Sequence, residues 1–253
     1  MKKFVLSLLI PLFIGLTLSA QQTASRNFFD RDSTHMTKLE IDYEKIAEEA
    51  RDSTLYIRLF EKFVTMKPVS DEELALLYYG LPQQRIFLGG TNYDMECVDV
   101  SMMLREEKFR EALDKVRIIL KINPFNIYAY ELYYQASSGL GEPQQARAEY
   151  NYRHWRLMEM IARTGDGRTR ETALKICTIS EEYVMMRQYF RNINSVGRKS
   201  YSEHEGDPNI RYDQFLVTPN DVYGNGELWF DKLLYYAEPK VVKNRPEPNS
   251  GNE

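Results

Sequence analysis

The sequence is short of several things, and each shortage removes a class of function. Among 253 residues there are only 2 cysteines and 3 histidines. Two cysteines exclude a disulfide-dense scaffold and a four-cysteine zinc module. The histidines, His35, His154 and His204, are scattered, with no HExxH spacing and no nucleophile motif beside them. No GxSxG elbow, Walker loop, dinucleotide fingerprint or paired CxxC occurs, so no catalytic residue, metal site or cofactor is expected. Positive charge is not in excess: 33 Lys+Arg stand against 37 Asp+Glu, a formal net charge of −4. That sign excludes a dedicated nucleic-acid binder, which would be basic. After the first 20 residues no stretch approaches the ~20 apolar residues of a membrane helix.

What is present starts with a leader. Lys2 and Lys3 precede an uncharged run from Phe4 to Leu18, and Ser19-Ala20 offers small residues for cleavage. The run is short for a membrane span, and Pro11 and Gly15 interrupt it. The expectation is a signal peptide over 1–20 and an exported, periplasmic or secreted chain with no transmembrane segment once the leader is removed. Residues 21–37 are polar and without a period, which reads as a linker.

Helical punctuation follows. Tyr56, Leu59, Phe60 and Phe63 form one apolar stripe, with Ser53 as the expected cap and Pro68 as the stop. Ser70 and Glu73 have capping-box spacing ahead of Leu74, Leu77 and Tyr78, and Gly80 with Pro82 ends that helix. Ala112 and Ala146 lie 34 positions apart, the period of a tetratricopeptide repeat, in which a small residue lets antiparallel helices approach closely. Leu113, Leu120, Pro124, Gly141 and Tyr150 fit the same logic, whereas Val100 and Tyr134 occupy places where the repeat favours a small residue.

After Thr164-Gly165-Asp166-Gly167 the texture changes. Leu174 and Ile176 mark a strand within 172–179, and Ser180-Glu181-Glu182 opens a short helix. The polar stretch from Asn192 to Asn209 reads as a loop. Arg211–Thr218 and Glu227–Tyr235, both rich in aromatic and branched residues, read as strands on either side of the turn residues Pro219-Asn220-Asp221 and Gly224-Asn225-Gly226, which predicts a hairpin. The expected fold is therefore α+β and mostly α. Tetratricopeptide-like antiparallel helix pairs over 38–163 precede a small α/β region over 164–237, a three-stranded antiparallel sheet with one helix. Residues 238–253, rich in proline, read as a disordered tail.

Taken together, these landmarks resemble an uncharacterised domain family of proteins exported by Gram-negative bacteria. The residues that carry the resemblance are Leu76-Leu77-Tyr78-Tyr79-Gly80, Ala112-Leu113 with Asn123-Pro124, Gly165-Asp166-Gly167, Thr172-Ala173, Glu181-Glu182-Tyr183, Tyr212-Asp213 and Trp229-Phe230-Asp231. Gln83 to Gly90 departs from the tyrosine-rich segment usual there. The resemblance implies a tetratricopeptide-like front half and a short α/β end, and brings no activity with it.

The surplus is aromatic: 18 Tyr and 12 Phe. Tyr128, Tyr130, Tyr133 and Tyr134 crowd one helix, and Tyr150, Tyr152 and Trp155 the next. Most must pack between helices, but Tyr130, Tyr134, Tyr152, Trp155 and Arg156 are the candidate binding residues for a peptide or sugar, on a surface where Tyr, Trp and Arg would converge. This points to a non-catalytic binding or scaffold module whose partner is an envelope protein or peptide. The competing reading is a hydrolase of an envelope or dietary polymer, using Asp166, Glu181, Glu182 and His204 between the two halves. Glu203-His204-Glu205 is read as a loop triplet rather than a metal grip, and Gly165-Asp166-Gly167 as a turn. In an exported chain Cys97 and Cys177 could form a disulfide, or could be two buried apolar thiols.

Overall fold

The computed structural model describes residues 38–84, 91–191, 193–204, 210–219, 224 and 226–232. The leader, linker and tail of the sequence reading lie outside them. The described chain is mostly helical, with eight α-helices and a four-stranded mixed sheet at its C-terminal end.

The first three helices are α1 (Tyr43–Glu49), α2 (Ser53–Val64) and α3 (Asp71–Gly80). Carboxylates start the first two: Asp42 accepts from the Lys45 amide, and Asp52 accepts from the Thr54 and Leu55 amides. The cap of α2 is thus Asp52, one residue before the expected Ser53, because the aspartate side chain reaches two free amides at once. The Ser70–Glu73 capping box on α3 forms as the sequence predicts. Tyr56, Leu59 and Phe63 bury the stripe of α2. From Leu74 to Gly80 every residue of α3 is buried. At Gly80 a β-carbon would meet the Ala50 Cβ at 2.6 Å, so this crossing with the end of α1 admits only hydrogen.

Next come α4 (Thr91–Arg105), α5 (Phe109–Ile122) and α6 (Ile127–Gly139), in consecutive contact through short connections. Ala112 is fully buried in α5, as a close crossing requires. Gly139 lies under the Phe109 ring, and the chain leaves α6 through Gly141 at φ +68, the left-handed value that glycine adopts without strain. Ala146 corrects the sequence reading. It falls in an exposed 3-10 turn, Gln144–Arg147, ahead of α7 (Ala148–Ala162), and makes no tight inter-helix crossing. Pro143 and the turn after Gly141 delay the start of α7 by several residues, so the 34-residue spacing does not mark structurally equivalent alanines.

The sheet also differs from expectation. Strand β1 (Leu174–Ile176) is followed by α8 (Ile179–Val184) with a π-helical continuation Met185–Tyr189, then β2 (Ser195–Ser202), β3 (Ile210–Val217) and β4 (Glu227–Lys232). The spatial order is β1-β4-β3-β2. The β3–β4 pair is antiparallel, as the turn residues predict. However, β2 arises from the stretch read as a loop, and β1 pairs parallel to β4. An edge strand needs no apolar alternation, which is why β2 carries so little of it. The cap of α8 is Thr178, in a capping box with Glu181, rather than Ser180. One apolar core runs from Tyr56 and Leu77 through Leu113 and Ile161 to Leu174, Phe215 and Phe230.

Candidate functional site

The five aromatic and arginine candidates scatter. Tyr130 is buried, with its hydroxyl donating to the Pro124 carbonyl at 2.9 Å and its ring stacked on His154. It is core, which corrects its assignment as a binding residue: α6 turns it inward and spends its polar end on the backbone. Burial holds the His154 imidazole neutral, its pKa lowered to about 3. Trp155 is half-buried against Tyr189, and Arg156 pairs with Asp71 at 3.0 Å. Tyr134 and Tyr152 are exposed, and the Arg147 guanidinium lies 4.9 Å from the Tyr134 ring centre. Cys97 and Cys177 are free thiols, so the possible disulfide does not form. Cys97 is buried beside the Asn126 amide, whereas Cys177 follows β1 and contacts the Tyr78 carbonyl. Each thiol is committed to a different neighbourhood.

The hydrolase set does not assemble either. Asp166 is exposed and accepts from the Arg168 amide, the turn that glycines on either side favour. His204 is exposed. The Glu181 carboxylate is occupied as a cap: it accepts from the Cys177 amide at 2.7 Å, the Thr178 amide at 2.9 Å and the Tyr78 hydroxyl at 2.6 Å. Glu182, the next residue, points elsewhere.

Its surroundings form a cluster on the inner face of the sheet. Register places Leu174, Phe230 and Asp213 in one row, with Ser200 opposite Asp213 on β2. The side chains of Glu182 and Asp213 are fully buried, and Lys232 is 3% exposed. Asp213 accepts from Ser200, from Lys232 and, at 2.5 Å, from Arg198 Nη2. The same Arg198 nitrogen is 3.3 Å from Glu182 Oε2. Burial, and then the neighbouring Asp213 carboxylate, push the Glu182 carboxyl up to about 9. Asp213, held by the Arg198 and Lys232 cations and the Ser200 hydroxyl, falls well below the usual range despite its burial. A neutral acid beside an ionised one is the pairing that general acid–base chemistry uses. Here it is closed off except at Arg198, so its work is to hold α8 on the sheet.

A second charged row lies on the outer face: Lys175, Asp231, Tyr212 and Tyr201 are register neighbours across all four strands. Arg211 has no register partner. It is the extra residue of a bulge, which re-aims its side chain so that it grips Asp231 at 2.7 and 3.0 Å. Arg211 and Arg170 both lie on the Tyr212 ring, at 5.0 and 4.3 Å from its centre. Tyr201 and Trp229 stack at 5.4 Å over Gln214. Asp213 and Lys232 did carry a signal: each is a charged residue at an inward position of an alternating strand, in phase with Phe215 and Phe230.

The sequence matches the family described as Domain of unknown function (DUF4919) over residues 41–230. The chain belongs to that family. Neither the curated proteins nor the solved structures contain a match. The matched DUF4919 span runs from the residues just before α1 into β4, and takes in Glu182, Arg198, Arg211 and Asp213 but stops one residue before Asp231 and two before Lys232.

Proposed function

We propose that this chain is a non-catalytic protein- or peptide-binding module of the cell envelope, exported after loss of residues 1–20 and acting in the periplasm or outside the cell. The observation that carries the reading is the fate of the carboxylates. Glu181 caps a helix, Asp166 closes a turn, and Glu182 and Asp213 lie under the sheet with their cations. That leaves surface recognition by rings and cations. Tyr134 and Tyr152, on consecutive helices, are exposed large aromatics of the sort that anchor partners. The consecutive contacts of α4, α5 and α6, with Ala112 and Gly139 at close approaches, support tetratricopeptide-like pairing in this part of the chain. The leader in the sequence supports export, and no helix among the described residues is long and apolar enough to cross a membrane.

The hydrolase alternative draws on one observation, the raised pKa of Glu182, and a fully buried carboxyl offers a polymer no access. Quantitative affinity capture from envelope extracts tests the reading. A partner enriched by the wild type and lost with Tyr134→Ala/Tyr152→Ala supports it. Equal recovery by both proteins, or hydrolysis of an envelope polymer that disappears in Glu182→Gln, overturns it.

A further inference from the structure

We propose that the free edge of β2 recognises an extended acidic segment of a partner protein, which adds to the sheet as a fifth strand. This names the partner chemistry for the binding-module reading and rests on it. In the order β1-β4-β3-β2, β2 is outermost, and among the described residues its far side has no strand partner. The regular register runs from Gly197 to Tyr201, opposite Leu216 to Tyr212. Bulges bracket it: Val196 is the extra residue at one end, and Arg211, across the pair, at the other. Beyond Tyr201 the edge is closed, because Arg170 donates to the Ser202 and Glu203 carbonyls at 3.0 and 2.9 Å. What remains, from Gly197 to Tyr201, is a short row of backbone groups on the side of β2 away from β3. Such a row binds an extended chain through main-chain hydrogen bonds.

Charge selects the occupant. Residues 191–202 contain Arg191, Arg198 and Lys199 and no acid, in a chain whose acids outnumber its bases. Lys199 is exposed on the outer face, and Arg198, one position before it on the inner face, is bonded to Asp213 at the rim of the buried cluster and keeps 31% of its side chain in solvent. A second copy pairing in register along this edge would bring Arg198 and Lys199 against the same cations, and directly opposed like charges are unfavourable. The edge thus repels its own kind, as exposed edges usually must. A strand with acids at two successive positions meets the opposite condition on both faces.

Two synthetic ten-residue strand peptides test this, one with a central Glu-Glu pair and one with Lys-Lys, at millimolar concentration against the full mature chain. Hydrogen exchange of the amides from Gly197 to Tyr201 is the readout. The expected result is exchange about tenfold slower with the acidic peptide than with the basic one, an effect that fades with salt. Lys199→Glu should shift the preference toward the basic peptide while leaving the melting temperature unchanged. Equal protection by both peptides, no change at these amides, or protection without peptide at high protein concentration overturns the proposal. If β2 is unprotected while an envelope partner is still captured through Tyr134 and Tyr152, the edge proposal falls and the binding-module reading stands.

Discussion

The Tyr78 hydroxyl donates to Glu181 Oε2 at 2.6 Å, joining α3 to the capping turn of α8 across 103 positions of sequence. Both groups are buried, and that carboxylate also holds the Cys177 and Thr178 amides. One acid therefore organises the junction between the helices and the sheet. Tyr78→Phe should cost on the order of 2 kcal/mol, since a buried charged acceptor loses a donor. Urea denaturation checks this. A change of a few tenths would mean that the backbone amides alone hold Glu181.

Glu182 makes stability depend on pH in a stated direction. Its pKa rises on folding from 4.5 to about 9. Between those values the folded chain keeps a proton that the unfolded chain releases, so this group makes the fold less stable as pH rises from 4.5 toward 9. Glu182→Gln mimics the neutral acid and removes the dependence. The variant should be more stable than the wild type by on the order of 3 kcal/mol at pH 7, with the difference vanishing near pH 4.5. Comparing the two proteins across pH cancels the groups that do not touch Glu182, among them His154, whose lowered pKa acts in the opposite sense and weakens the fold as pH falls below 6.5. A difference that does not change with pH would show Glu182 ionised in the fold.

Gly80→Ala should destabilise by about 2 kcal/mol through overlap with the Ala50 methyl. Ala50→Gly in the same chain should restore part of that loss, and thermal unfolding of the single and double variants measures the coupling. Additive effects would place the contact elsewhere.

The thiols should stay free. Intact mass with and without reductant should be the same after alkylation of the unfolded chain, with both Cys97 and Cys177 labelled. In the folded protein Cys97, fully buried, should label only as fast as the chain opens. A mass two hydrogens lower under oxidising conditions would reveal a bridge.

The helical half was readable where local chemistry decides local structure. Ser70 and Glu73 satisfy each other within four residues, and Gly80 with Pro82 ends a helix whatever surrounds it. The hairpin of β3 and β4 was readable for the same reason. Three things were not. β2 is exposed on an edge, so no apolar alternation announces it. Ala146 shares a spacing with Ala112, but the turn at Gly141 and Pro143 puts it in solvent, which no count of positions reveals. The cluster of Glu182, Arg198, Asp213 and Lys232 draws on four elements, and only the register of the sheet brings it together.

The strand order has a consequence for how the chain is made. β4 sits between β1 and β3 but is the last of the four in sequence. A chain emerging from its N-terminus therefore leaves β1 without a neighbour, and Asp213 without Lys232, until β4 has appeared. The sheet is complete only once β4 is in place, and a truncation that removes a handful of residues within β4 deletes the middle of the sheet rather than its margin.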